Sequence, residues 1–115
     1  MNNPLDLAES KGCTANVVLI KDNIIYVANA GDSRCILAVN GKAVPMSTDH
    51  KPSLLSEKNR ILKAGSSITA DGRIEGNLNL SRAIGDLRYK RNKNLSAKEQ
   101  PITAFPEVKS MMLNS

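Results

Sequence analysis

The chain predicts an α+β fold. Val/Ile-rich strand candidates crowd its first part, two hairpin cues separate them, and one amphipathic helix comes after. The first pair of strands is Cys13 to Ile20 and Ile24 to Ala30, with Lys21-Asp22-Asn23 between them. Asp-Asn in so short a gap marks a hairpin, because both residues tolerate positive φ. A third strand, Cys35 to Val39, passes through Asn40-Gly41 into a fourth, Lys42 to Met46. Four consecutive antiparallel strands predict a meander in one sheet.

The helix is predicted over Leu54 to Ala64, with Ser53 as N-cap and Gly65 as the left-handed residue that ends it. Leu54, Leu55, Ile61 and Leu62 form its apolar rows, and Glu57, Lys58, Arg60 and Lys63 its wetter face. Ser67 to Ala70 and Arg73-Ile74 read as a small hairpin about Asp71-Gly72. Leu78 and Leu80 continue as a short strand, and Ser81 caps a single helical turn, Arg82 to Gly85. Residues 86–101 are polar and basic and form a long loop, of the kind that is functional in a compact domain. Ile102 to Phe105 and Val108 to Leu113 predict a final strand broken at Pro106. Residues 1–11 read as a tail or linker, and residues 12–115 as the structured part.

At 115 residues there is room for one domain. Aromatics make up only 3% of the chain, so a core must be built from Val, Ile, Leu and Ala. The net charge of +5 comes without a stacking-aromatic pattern, which argues against nucleic-acid binding. The only dense basic run is Arg88-Tyr89-Lys90-Arg91-Asn92-Lys93. It reads as a solvated loop or, through Arg88, Lys90, Arg91 and Lys93, as a surface for phosphorylated or acidic protein substrates. Cys13 and Cys35 fit neither a disulfide framework nor metal-ligand spacing, and buried free thiols are expected. The polar first residues and the lack of a long apolar run predict a chain without membrane contact, located inside the cell, in cytoplasm or nucleus. Oligomeric state has no signal.

The most informative stretch is Val27-Ala28-Asn29-Ala30-Gly31-Asp32-Ser33-Arg34. A strand stops at a glycine and then presents a carboxylate, a hydroxyl and a guanidinium. Asp32 on such a platform suits a hard cation such as Mg²⁺ or Mn²⁺, though the same residues also make an ordinary turn. Arg34 is expected to orient that turn rather than bind phosphate. His50, the sole histidine, has no nucleophile and carboxylate arranged for acid–base work and is expected to bond locally within its loop. Arg82 and Asp86 are spaced as a local i, i+4 ion pair of structural value.

Taken in order, the motifs carry more than each does singly. They are Gly12-Cys13-Thr14-Ala15, the Val27 to Arg34 run, Asp49-His50-Lys51-Pro52, Glu57, Arg60-Ile61, Ala64-Gly65, Gly76-Asn77-Leu78, Leu80 to Asp86, Glu99-Gln100 and Pro106-Glu107-Val108. This ordered set resembles the middle of a type 2C, metal-dependent serine/threonine protein phosphatase. The resemblance implies part of a four-layer sandwich, two antiparallel sheets flanked by helices, and places the loop at 86–101 as a flap beside the active site. It implies hydrolysis of phosphoserine and phosphothreonine in proteins with Mg²⁺ or Mn²⁺, and a metal role for Asp32. It places Arg34, Arg82 and Asp86 as supporting residues near the cleft. The family's Asp-Gly-His-Gly-Gly segment and its later Asp-Gly-x-Trp-Asp segment do not occur in this sequence. The expectation is therefore an active parent domain and an inactive isolated chain. A non-catalytic module that binds phosphoproteins or a partner through Arg88 to Lys93 is the alternative.

Overall fold

The computed structural model describes residues 3–113. In chain order the elements are α1 (Pro4–Ser10), β1 (Gly12–Cys13), β2 (Ala15–Lys21), β3 (Ile24–Ala30), β4 (Ile36–Val39) and β5 (Lys42–Pro45). Then come α2 (Leu55–Lys63), β6 (Ile84–Gly85), two short 3₁₀ turns at Leu87–Tyr89 and Ala97–Glu99, and β7 (Glu107–Met112). All strand pairs are antiparallel, and the fold is α+β.

The two hairpins predicted in the first part of the chain form, for the predicted reason. Asp22 and Asn23 have φ of 51° and 63°, and Asn40 and Gly41 have 50° and 76°. These are the two positive-φ residues that a type I′ turn requires. The single meander does not form. The order β2-β3-β7 makes one sheet, β4-β5 a second, and β1-β6 a third. After Ala30 the chain bends away, β7 takes the place beside β3, and the β4-β5 hairpin packs on the sheet instead of joining it. One core results from that packing: Ile25, Val27 and Met46, with Leu37, Val44 and Met111 against them.

A second core, Ile61, Ile74, Ala83, Tyr89 and Ile102, lies beneath α2 and the 86–101 segment. The helix ends as predicted: Gly65 takes φ +84°, its N–H meets Leu62 O at 3.0 Å, and Ser66 N–H meets Ile61 O at 3.1 Å. This bond pair is a Schellman motif. Its start differs, because Leu54 holds the N-cap position with no side-chain cap, and Ser53 does not serve. Its faces are only partly as expected: Ile61 lies inside and Lys58 and Lys63 outside, but Leu54, Leu55 and Leu62 are exposed. Leu55 is 70% exposed, whereas Glu57 and Ile61 are buried and Arg60 is half-buried.

Other expectations are corrected as well. Residues 4–10 form a helix, not a tail, lying against β6 and the Leu87–Tyr89 turn. The predicted turn at Arg82 to Gly85 is strand β6 preceded by a bridge from Arg82 to Thr103. The predicted hairpin about Gly72 survives as the isolated bridge Ile68 to Ile74. The 86–101 segment has anchors: Tyr89 and Gln100 are buried, and the Gln100 amide bonds Asn92 and Leu95 backbone. The cysteines are free, but Cys13 is exposed and Cys35 only half-buried.

The radius of gyration is 16.1 Å, against about 13 Å for a compact domain of this length. Strand β2 shows why. Val17, Val18, Leu19 and Ile20 are all between 46% and 63% exposed, so this edge strand is apolar on both faces and uncovered on each.

Candidate functional site

Strand β3 is central in its sheet and ends at Ala30, so it is a rigid base for the turn beyond it. Gly31 is buried with φ +125°, and a Cβ there would lie 2.4 Å from the Thr14 side chain and 3.0 Å from Arg82 O. Only glycine fits. The turn is then fastened from several sides. Asn29, itself buried, donates from Nδ2 to Gly31 O at 3.0 Å and Thr48 O at 2.9 Å, and its Oδ1 accepts from Asn16 at 3.0 Å. Ser33 and Thr14 share a hydroxyl bond of 2.7 Å, and Ser47 Oγ accepts the Cys35 N–H at 2.9 Å.

The Asp49-His50-Lys51 run lies opposite this turn and grips it residue by residue. Arg34 donates to both Asp49 oxygens, at 3.1 and 2.7 Å. That fork raises the Arg34 pKa and lowers that of Asp49. His50 donates its backbone N–H to Gly31 O at 2.9 Å and accepts the Gly31 N–H on Nδ1 at 3.0 Å. Lys51 Nζ donates to Asp32 Oδ2 at 2.6 Å and to Asn79 O at 3.1 Å. His50 therefore bonds across the fold rather than within its own loop. Burial pushes its pKa down, with Arg82 adding to the effect, so a neutral ring with an accepting Nδ1 is the stable form.

On the other side of His50 lies a buried ionic cluster. His50 O accepts the Ser81 N–H at 3.0 Å, and Ser81 Oγ donates to Glu57 Oε1 at 2.9 Å. Arg82 binds Glu57 through both oxygens, at 2.8 and 3.0 Å, and Arg60 adds a bond of 2.9 Å. Burial pushes the Glu57 pKa up, but the two arginines outweigh it and hold the carboxyl at about 2. Arg60 also donates to Ser81 O, Gln100 O and Pro101 O, so one guanidinium joins α2 to the end of the 86–101 segment.

The sequence-predicted residues thus divide. Asp32, Arg34 and His50 come together at the strand end. The Arg82–Asp86 ion pair does not form, because Arg82 is turned to Glu57 and Phe105 O. Asp86 is buried, starts the Leu87–Tyr89 turn at φ 48°, and rests its carboxylate against Gly12. Of the four basic residues, three take partners within the fold, Lys90 among them by turning inward. Arg88 stacks 4.8 Å over the Tyr89 ring and bonds its hydroxyl. Lys90 turns inward to Ala83 O at 2.7 Å, and burial lowers its pKa. Arg91 pairs with Glu9 of α1, and Lys93 is exposed. Glu57, Ser81 and Lys51 lie outside the predicted set. Arg60 at i+3 from Glu57 is a pairing signal, but Arg82 and Ser81 lie too far along the chain for spacing to bring them in.

As a metal site the strand end offers hard oxygen chemistry. Asp32 is a half-buried carboxylate bonded through Oδ2 to Lys51, and Asn79 O lies beside it. No group of three or more metal-ligating side chains converges among the described residues. Asp32 fits as one contributor to a Mg²⁺ or Mn²⁺ site and does not complete one.

Comparison with known proteins places the chain in a family. The family model for protein phosphatase 2C matches residues 2–115. The chain is 54% identical over 109 residues to a probable protein phosphatase 2C 4 of Paramecium tetraurelia, covering 95% of this chain and 36% of that protein. It is 54% identical over 108 residues to protein phosphatase 2C homolog 2 of Hypocrea jecorina, covering 94% of this chain and 24% of that protein. A solved phosphatase from Toxoplasma gondii superposes with a TM-score of 0.73 at 42% identity, over 78% of this chain and 28% of that one. The chain spans about a third or less of the length of each of these proteins. It belongs to the protein phosphatase 2C family.

Proposed function

We propose that the intact domain to which this chain contributes hydrolyses phosphoserine and phosphothreonine esters in proteins with Mg²⁺ or Mn²⁺. Asp32 is one metal ligand of that domain. The observation that carries the reading is the Gly31-Asp32 turn. A carboxylate stands at the end of a central strand, fixed through Asn29, Thr14 and His50, and its Oδ1 has no bonded partner among the described residues. A bound Mg²⁺ or Mn²⁺ supplies an acidified water and stabilises negative charge on the phosphoryl group. The chain's own residues act by placement. His50 and Asn29 set the height of the Gly31 peptide, and Arg34, bonded to Asp49, stands at the exit of the turn.

The 115-residue chain by itself is proposed to be inactive, since it carries one such carboxylate and not the Asp-Gly-His-Gly-Gly segment. A phosphopeptide assay with Mn²⁺ tests both halves. The intact domain turns over and its Asp32→Asn variant loses rate, while the chain alone releases no phosphate above background. Metal-dependent release by the chain alone overturns its assignment as inactive, and an unaffected D32N domain overturns the role of Asp32.

A further inference from the structure

We propose that Lys51 is a built-in counter-ion of Asp32 that competes with a divalent cation for this carboxylate, so that it weakens metal loading for as long as its ammonium stays in place. The inference rests on the reading of Asp32 as a metal ligand. Lys51 Nζ lies 2.6 Å from Asp32 Oδ2 and 3.1 Å from Asn79 O. A carboxylate and a backbone carbonyl are hard oxygens of the type that Mg²⁺ and Mn²⁺ also take. The ammonium therefore occupies the space of a cation bound through Oδ2, and it neutralises part of the charge that a cation bound through the open Oδ1 would use. A divalent ion at about 2.1 Å from Oδ2 would meet a like charge at contact distance.

The root of Lys51 cannot drift away from this position. His50 before it is buried and bonded to Gly31 twice, and Pro52 after it is buried. The head is free to swing, because the Lys51 side chain is 39% exposed. Arg34 does not replace it, being engaged with both oxygens of Asp49. Two consequences arise. Lys51 lowers the affinity of Asp32 for a metal, and its departure frees the Asn79 carbonyl. The segment before Leu80 thereby senses whether the carboxylate is held by protein or by metal.

The test needs no activity. Mn²⁺ is titrated into the chain and read by loss of the amide NMR signals of Gly31, Asp32 and Ser33, for wild type, Lys51→Met, Lys51→Gln and Asp32→Asn. The expected result is about three- to fivefold tighter Mn²⁺ binding in both Lys51 variants, the scale of one half-exposed ion pair. D32N is expected to abolish the response. Equal or weaker binding in both Lys51 variants, with D32N still abolishing it, overturns the counter-ion role and leaves Asp32 a ligand. An unchanged response in D32N overturns both.

Discussion

Two ionic groups flank His50, built from the same residue types, and they do different work. Around Glu57 the carboxylate is buried, the two guanidiniums that share it are only 13% and 15% exposed, and both oxygens are bonded. Around Asp32 the charges are half-exposed, each carboxylate has one cation, and one oxygen of Asp32 is open among the described residues. Burial decides the difference. A buried pair cannot lose a partner without stranding a charge, so it fixes the structure. A wet pair contributes little and exchanges partners easily, which suits a site that takes a ligand. Charge identity does not tell a brace from a binding group; the solvent around it does.

The sharpest way to break the comparison is Glu57→Gln. It leaves Arg82 and Arg60 with an uncompensated buried charge, and denaturant unfolding is expected to show a loss of about 3–5 kcal/mol. Next comes pH. The Glu57 carboxyl is held at about 2 in the folded chain against an ordinary 4.5. Its folded pKa is lowered, so its stabilisation is complete above about 4.5 and is lost as pH falls toward about 2. That window should hold roughly 2–3 kcal/mol of wild-type stability and be flat in E57Q, as acid titration of the unfolding midpoint would show. His50→Ala removes the acceptor for the Gly31 N–H. A loss of about 1–3 kcal/mol is expected, with faster hydrogen exchange at the Gly31 amide than elsewhere in the sheet.

The smaller effects sharpen the other side. Arg34→Ala should leave the unfolding midpoint near that of wild type at low salt, and added salt should erase any remaining difference. A loss near that of E57Q would show the Asp32 side to be a brace after all. Val17→Lys, on the face of β2 turned away from the Val27 core, should change stability by within about 0.5 kcal/mol. It should reduce self-association measured by light scattering, since charge on an edge strand disfavours edge pairing.

Much of the fold is legible in the residues themselves. The I′ turns at Asp22-Asn23 and Asn40-Gly41 and the glycine that closes α2 are local, because few residues other than Asn, Asp and Gly hold positive φ cheaply. Asp32 at a strand end is legible for the same reason. The features that are not legible come from pairings distant in sequence. Glu57 looks like a surface residue on any helical wheel, and only the approach of Arg82 and Ser81, 25 and 24 residues away, makes burial of its charge tolerable. The Arg82–Asp86 pair is lost to that same competitor. The basic run at Arg88 to Lys93 reads as free charge because its residues are adjacent, yet Tyr89, Ala83 O and Glu9 each engage one member.

By itself, then, the sequence determined the family, the α+β class, the hairpin turns and the carboxylate at one strand end. Each comes from backbone geometry or from the order of short motifs. The tertiary structure alone decided which strand lies beside β3, which face of α2 is inside, and which cation each carboxylate holds. Those choices depend on desolvation and on partners brought from far along the chain, and neither is a property of a local window.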